Sequence, residues 1–241
     1  NCWSSVSHLH SVCSSDELRV AYDAVLPELT AYSTEMSHNT RLYRAYLELR
    51  DSSNFSELTP AQQKSVNNAL RDFRLGGVAL ELQQKQRFGE IQLQLAELST
   101  RFANNALDAT QAWHRQIEDP EELEGIPAGV LDSLRQQAQV RGLTGYVVSL
   151  DLPLYLPVMQ YASNRELRRE LYTAYVTRAS EQGPNAGEWD NSEIMLETLA
   201  LRREMAILLG YETYAELSLA TKMAESPGQV LDFLCGLAEK A

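Results

Sequence analysis

The sequence predicts a mainly α-helical fold, and three observations carry that expectation. Apolar residues recur at steps of three and four through most of the chain. Ser, Thr, Asn or Asp stands in front of these runs, in places followed by Pro, as helix starts require. Only one stretch changes period: Tyr146, Val148, Leu150 and Leu152 alternate with Val147, Ser149 and Asp151, a strand signature. A lone strand leaves its backbone unpaired. The weakly alternating residues 113–119 are its candidate partner, so a small two-stranded β element from 113–119 and 145–152 is expected in an otherwise helical chain.

Taken in order, Ser14, Ser15, Asp16 and Glu17 open a run with apolar residues at Leu18, Tyr22, Val25, Leu29, Tyr32 and Met36. Pro27 lies inside this run and is expected to kink or restart the helix. A short helix follows from Thr40 to about Arg50, on Tyr43, Tyr46 and Leu49. Thr59 and Pro60 pair a hydroxyl cap with a proline at the first helical position, and Gly76–Gly77 ends the helix they start. The longest helix carries Ile91, Leu95, Leu98, Phe102, Ala106, Ala109 and Trp113, flanked by Leu93, Ala96, Ala103 and Leu107. So wide a stripe implies packing on two sides.

Asp119–Pro120 breaks the chain, and Pro127 begins a helix ending near Gly142. Beyond the strand, Leu156–Pro157, Ser163–Asn164 and Asp190–Asn191–Ser192 read as helix starts. Leu167, Leu171, Ala174 and Tyr175 form one stripe; Ile194, Thr198, Leu201, Met205 and Leu208 form another, closed by Gly210. Ser226–Pro227 starts a final helix whose pattern, through Val230, Leu231, Leu234 and Leu237, is expected to continue to Ala241. An opening Asn1 in place of Met leads to the expectation of a processed N-terminus or of a piece of a longer polypeptide, and the unfinished last pattern points to the piece. Residues 1–241 are expected to form one helical region, or two subregions, 1–112 and 113–241.

A chain of 241 residues, 44% hydrophobic, can bury a core as one large or two modest domains. Its charge, 21 − 33 = −12, disfavours general binding to phosphate backbones, so no nucleic-acid partner is expected. No apolar run approaches the roughly 20 residues of a membrane helix, so no membrane partner is expected either. The three cysteines, Cys2, Cys13 and Cys235, do not make a disulfide framework and fit a reducing cytoplasm.

Candidate chemistry is sparse. His8 and His10 are two apart and would point to different faces of a helix. His10 and Cys13, with Cys2 nearby, could share a face and hold a metal; the plainer reading is a polar helix start with a buried thiol. His38 and His114 are followed by Asn39 and Arg115, so neither begins a His-Glu-x-x-His motif. No Gly-x-Ser-x-Gly elbow or phosphate-cradling glycine loop occurs. The acidic cluster Glu118, Asp119, Glu121, Glu122 and Glu124 lacks calcium-loop spacing and reads as charge favouring a helix N-terminus. In the loop 183–190, Trp189 reads as a plug at a helix junction, with a ligand platform as the alternative.

Longer stretches carry a resemblance. Leu98-Ser99-Thr100-Arg101-Phe102-Ala103-Asn104-Asn105 with Ala112-Trp113, Tyr155-Leu156-Pro157-Val158-Met159, and Arg178-Ala179-Ser180 through Trp189-Asp190-Asn191 all contribute. So do Leu201 to Tyr211, Tyr214-Ala215 and Lys222-Met223-Ala224. Together they resemble the N-terminal region of the thimet-oligopeptidase family of zinc peptidases, nearest to its bacterial members, over essentially the whole chain.

The resemblance implies the N-terminal helical half of a two-lobed, cytoplasmic zinc endopeptidase that degrades short peptides. It implies zinc in the full-length enzyme, held C-terminal of the matched region, and none on this chain. No catalytic or metal role carries onto any residue from Asn1 to Ala241, and the substrate-binding residues stay unassigned. The region would be part of the channel wall, its partners short peptides and the missing catalytic half, and alone it would be inactive. The other reading is a stand-alone helical module that binds a peptide or protein without catalysis.

Overall fold

The computed structural model describes residues 2–13 and 15–241. Among them are eleven α-helices and one two-stranded antiparallel sheet, the mainly helical fold that the periodicity predicts.

Side-chain caps set many of the helix starts. After α1 (Cys2–Val12), α2 (Asp16–Ser37) begins where Ser15 Oγ accepts the Leu18 N–H. Ser14, also expected at this start, lies outside the described residues. Asn39 caps α3 (Thr40–Asp51), and Thr59 and Gln62 form a reciprocal capping box on α4 (Pro60–Leu75). Gly76 and Gly77 close α4 as expected, Gly77 at φ +86°. The long helix α5 (Leu82–Ala112) follows. After it come β1 (His114–Ile117), α6 (Ala128–Val140) and β2 (Tyr146–Ser149). Then come α7 (Leu152–Tyr161), α8 (Arg165–Val176) and α9 (Ser192–Leu208). The chain continues through α10 (Tyr214–Leu219) to α11 (Pro227–Ala238).

Five local expectations are corrected. Of the kink or restart expected at Pro27, the restart does not occur: α2 continues through it from Asp16 to Ser37. A proline there removes the hydrogen bond to the Asp23 carbonyl, but Pro27 and Asp23 are both exposed and water can take that place. The helix expected from Leu156–Pro157 starts earlier, at Leu152, with Pro153 in its first turn where a missing N–H costs nothing. Phe102, read as part of the buried stripe of α5, is 42% exposed, whereas Ile91, Leu98 and Ala109 are buried. The last helix ends at Ala238, where the Glu239 and Lys240 N–H groups donate to the Cys235 and Leu237 carbonyls. Cys13 is no buried thiol: it is exposed, and the buried polar residue beside it is His10.

The two strands pair antiparallel, with His114 opposite Ser149 and Ile117 opposite Tyr146. Gly145 leads into β2 at φ +74°, and a side chain there would run into the Ile117 carbonyl. Only glycine admits both the left-handed backbone and that approach.

The chain divides into two compact units. One comprises the described residues up to Leu98 together with Glu197–Ala241; the other is Ser99–Leu196. In the second, β1 and β2 pack with α6, α7 and α8 around Ile117, Leu134, Val148, Leu150, Val158, Leu167 and Leu171, each almost free of solvent. In the first, Val66 and Leu70 of α4, Phe88 and Ile91 of α5, and Leu201, Met205 and Ala206 of α9 are buried. Arg87 and Glu204 join α5 to α9 within that unit.

Candidate functional site

The residues singled out for chemistry do not assemble into a centre. His10 is buried and stacks on the Tyr22 ring at 4.1 Å between centroids, and Tyr22 stacks in turn on Trp3 at 4.7 Å. His10 is therefore packed into the α1–α2 hairpin, its buried Nε2 without a hydrogen-bond partner among the described residues. Cys2, Cys13 and Cys235 are free and exposed. Among the described residues, no group of three or more His, Cys, Asp or Glu is placed to hold a metal ion.

His38 follows α2 directly, tilted on the Phe88 ring at 5.8 Å. Burial pushes its imidazole below the usual histidine range and Lys85 adds to this, while a hydrogen bond to the Gly76 backbone opposes both. His114 sits at the start of β1 on the exposed side.

The acidic cluster serves local structure. Asp119 Oδ1 accepts the Glu121 N–H at 2.9 Å, capping the short 3-10 helix Pro120–Leu123. Glu122 pairs with Arg115 at 2.6 Å, and Arg115 also reaches Glu170. In the loop before α9, Trp189 is half-buried. Its neighbour Asp190 accepts the Ser192 N–H at 2.9 Å and the Ser192 hydroxyl at 2.7 Å, which hold its carboxyl below the usual range. Asn191 is buried, accepting from Asn105 Nδ2 and donating to the Phe102 carbonyl. These are the bonds of a helix start.

A cleft of about 350 Å³ opens in the first unit, and the sequence reading did not anticipate it. Arg50 of α3, Asn67, Leu70, Arg71, Arg74 and Leu75 of α4, and Tyr211 after α9 line it. No carboxylate is among the lining residues. Asn67, Arg71 and Arg74 are four and three apart, so one face of α4 was legible in the sequence. That Arg50 and Tyr211 meet the same face was not, because the three segments are remote in sequence.

Exposed apolar residues also collect on single elements. α11 buries none of its residues and exposes Leu231, Phe233, Leu234 and Leu237. α7 and α8 expose Leu152 with Leu156 and Tyr172 with Val176, each pair one helical turn apart.

Comparison with known proteins gives this helical architecture a context. Residues 1–85 match the family described as Neurolysin/Thimet oligopeptidase, N-terminal domain, and residues 158–241 match Peptidase family M3. Oligopeptidase A of Haemophilus influenzae is 55% identical over 239 residues, covering 99% of this chain and 35% of the relative. The chain belongs to peptidase family M3.

Other M3 relatives extend the likeness. Oligopeptidase A of Escherichia coli is 54% identical over 99% of this chain and 35% of its own length. The probable cytosolic oligopeptidase A of Arabidopsis thaliana is 39% identical over 92% of this chain and 32% of its own length. The chain thus spans about a third of the length of the curated M3 relatives it matches. The zinc that the family resemblance implies has no fitting donor set among the described residues.

Proposed function

We propose that these 241 residues form the N-terminal helical region of an oligopeptidase A-type zinc peptidase acting on short peptides, with the catalytic machinery outside this chain. One observation carries the reading: near-complete coverage of this chain by oligopeptidase A, at 55% identity, over only 35% of that relative. In this reading the region contributes channel wall that admits flexible peptides and excludes folded proteins. Metal-assisted hydrolysis belongs to the whole enzyme. The exposed apolar residues of α11 support the reading, since a contiguous apolar face commonly marks a surface that another segment covers. A cytoplasmic location is supported by the name of the cytosolic Arabidopsis relative.

The test is hydrolysis of a quenched fluorescent peptide by the purified chain with added zinc, alone and mixed with the remaining length of the Escherichia coli relative. The expected result is no turnover by the chain alone and chelator-sensitive turnover by the mixture. Chelator-sensitive turnover by the chain alone overturns the inactivity. Inactivity of both, with the chain folded and binding the peptide at one site, favours a stand-alone peptide-binding module.

A further inference from the structure

The arginine-lined cleft of the first unit is a site for which the peptidase reading has no use. The chain carries only 21 Lys and Arg against 33 Asp and Glu, yet three of the seven lining residues are arginines and none is acidic. Its field as a whole repels anions, so three arginines lining one cleft run against the trend of the surface.

The neighbouring acids do not close the cleft. Arg50 donates from Nε and Nη2 to Asp51, and Arg71 donates from Nε and Nη2 to Asp72. Each aspartate is the next residue in the chain, so it holds its guanidinium by one edge. In both arginines Nη1 meets no carboxylate among the described residues. Arg74 makes only one such contact among the described residues, donating from Nε to the Tyr43 hydroxyl at 3.3 Å. Among the described residues, neither of its Nη groups has a hydrogen-bond partner. A guanidinium is planar, permanently charged and matched to two oxygens of a compact oxyanion.

Helix position gives a partial account. Arg50 and Arg74 lie in the last turns of α3 and α4, where a cation also meets the helix dipole. That explains neither Arg71, one turn further in, nor the exposed amide of Asn67 on the same face. Buried Leu70, with Leu75 and Tyr211, adds an apolar border. The volume exceeds what an inorganic ion needs and leaves space for an organic group against that border.

We propose that this cleft binds a phosphate group, free or as the monoester of a small organic molecule, with Arg74 as the principal ligand and Arg50, Arg71 and Asn67 completing it. A dianion is favoured over a carboxylate because it offers more acceptor oxygens to several converging donors. Acids farther than roughly 8–10 Å are screened at physiological salt; nearer in, Asp51 and Asp72 each offset one guanidinium, which leaves Arg74 to supply the attraction.

The experiment is calorimetric titration of the full chain with inorganic phosphate, phenyl phosphate and acetate, in wild type and in Arg74→Gln, Arg71→Gln and Arg101→Gln. Arg101 is an exposed arginine of the other unit and is not among the lining residues. The expected result is one site for phosphate with a dissociation constant on the order of 1 mM or tighter. Phenyl phosphate binding more tightly identifies the monoester as the natural source; equal binding identifies the free ion. Arg74→Gln weakens binding about tenfold or more, Arg71→Gln weakens it less, and Arg101→Gln leaves it unchanged. Circular dichroism confirms that each variant is folded. Absence of saturable binding, equal loss in Arg101→Gln, or acetate binding as tightly as phosphate overturns the proposal. Peptide hydrolysis is not a readout here, so this test stands or falls apart from the peptidase reading.

Discussion

Arg87 and Glu204, 117 residues apart in sequence, meet through two parallel hydrogen bonds, Nε to Oε1 at 2.6 Å and Nη2 to Oε2 at 2.7 Å. Both side chains keep more than a third of their surface in water, at 37% and 41%, so screening limits what the pair adds. Its bidentate geometry fixes the register of α5 against α9.

A pH dependence follows from this pair. The Arg87 guanidinium holds the Glu204 carboxyl below its ordinary 4.5. A depressed carboxyl contributes stability that is full above the unfolded value and lost as pH falls through the folded one. Glu204→Gln therefore lowers the urea midpoint modestly at neutral pH, and the difference from wild type shrinks below pH 4.5. Urea titrations at both pH values check it. A difference independent of pH would show that the charge plays no part.

His38 titrates in a different window. Burial keeps its folded value below 6.5, so the unfolded chain takes up a proton first as pH drops. The stability of the wild type should decline as pH falls from 6.5 toward the folded value, and His38→Gln should remove that component. NMR titration of the imidazole gives the folded value directly. A midpoint at or above 6.5 would contradict the burial argument.

Neighbouring positions on α8 should behave in opposite ways. Leu171 is fully buried in the core of the second unit, while Tyr172 is 55% exposed. Leu171→Ala should cost roughly 2–5 kcal/mol by urea denaturation. Tyr172→Ala should change stability by no more than about 0.5 kcal/mol. Similar losses at both positions would mean that the helix faces are assigned wrongly.

Two glycines before β2 separate backbone strain from collision. Gly142 and Gly145 both have positive φ, +69° and +74°. A methyl group at Gly142 meets open space, whereas one at Gly145 meets the Ile117 carbonyl. Gly142→Ala should cost about 1–2 kcal/mol, the left-handed penalty alone. Gly145→Ala should cost more and weaken hydrogen-exchange protection at Ile117 and Tyr146. Equal costs would rule out the steric argument.

Much of the architecture is written locally. Ser15, Asn39, Thr59, Asn164 and Ser226 cap the helices they precede, because a cap needs one side-chain oxygen and backbone N–H groups two or three residues away. The change of period at Tyr146–Leu152 marked the sheet for the same reason. Thr213 and Glu216 carry an equally local capping box at the start of α10. Family membership was legible too, in blocks such as Leu201–Tyr211 that no periodicity argument would single out.

What local pattern could not give was the consequence of packing. Phe102 lies on the apolar stripe of α5 yet faces solvent, because burial depends on which neighbour arrives. His10 reads as a candidate ligand beside Cys13, but the Tyr22 ring takes it into an aromatic stack. Arg50, Arg71, Arg74 and Tyr211 come from three separate segments, and only tertiary structure brings them around one cleft. Caps, periods and matching blocks lie within short spans, so most of the helices, the strand pair and the family can be read along the chain. Which faces are buried and which arginines share a cleft depend on contacts between segments distant along the chain, so only folding sets them.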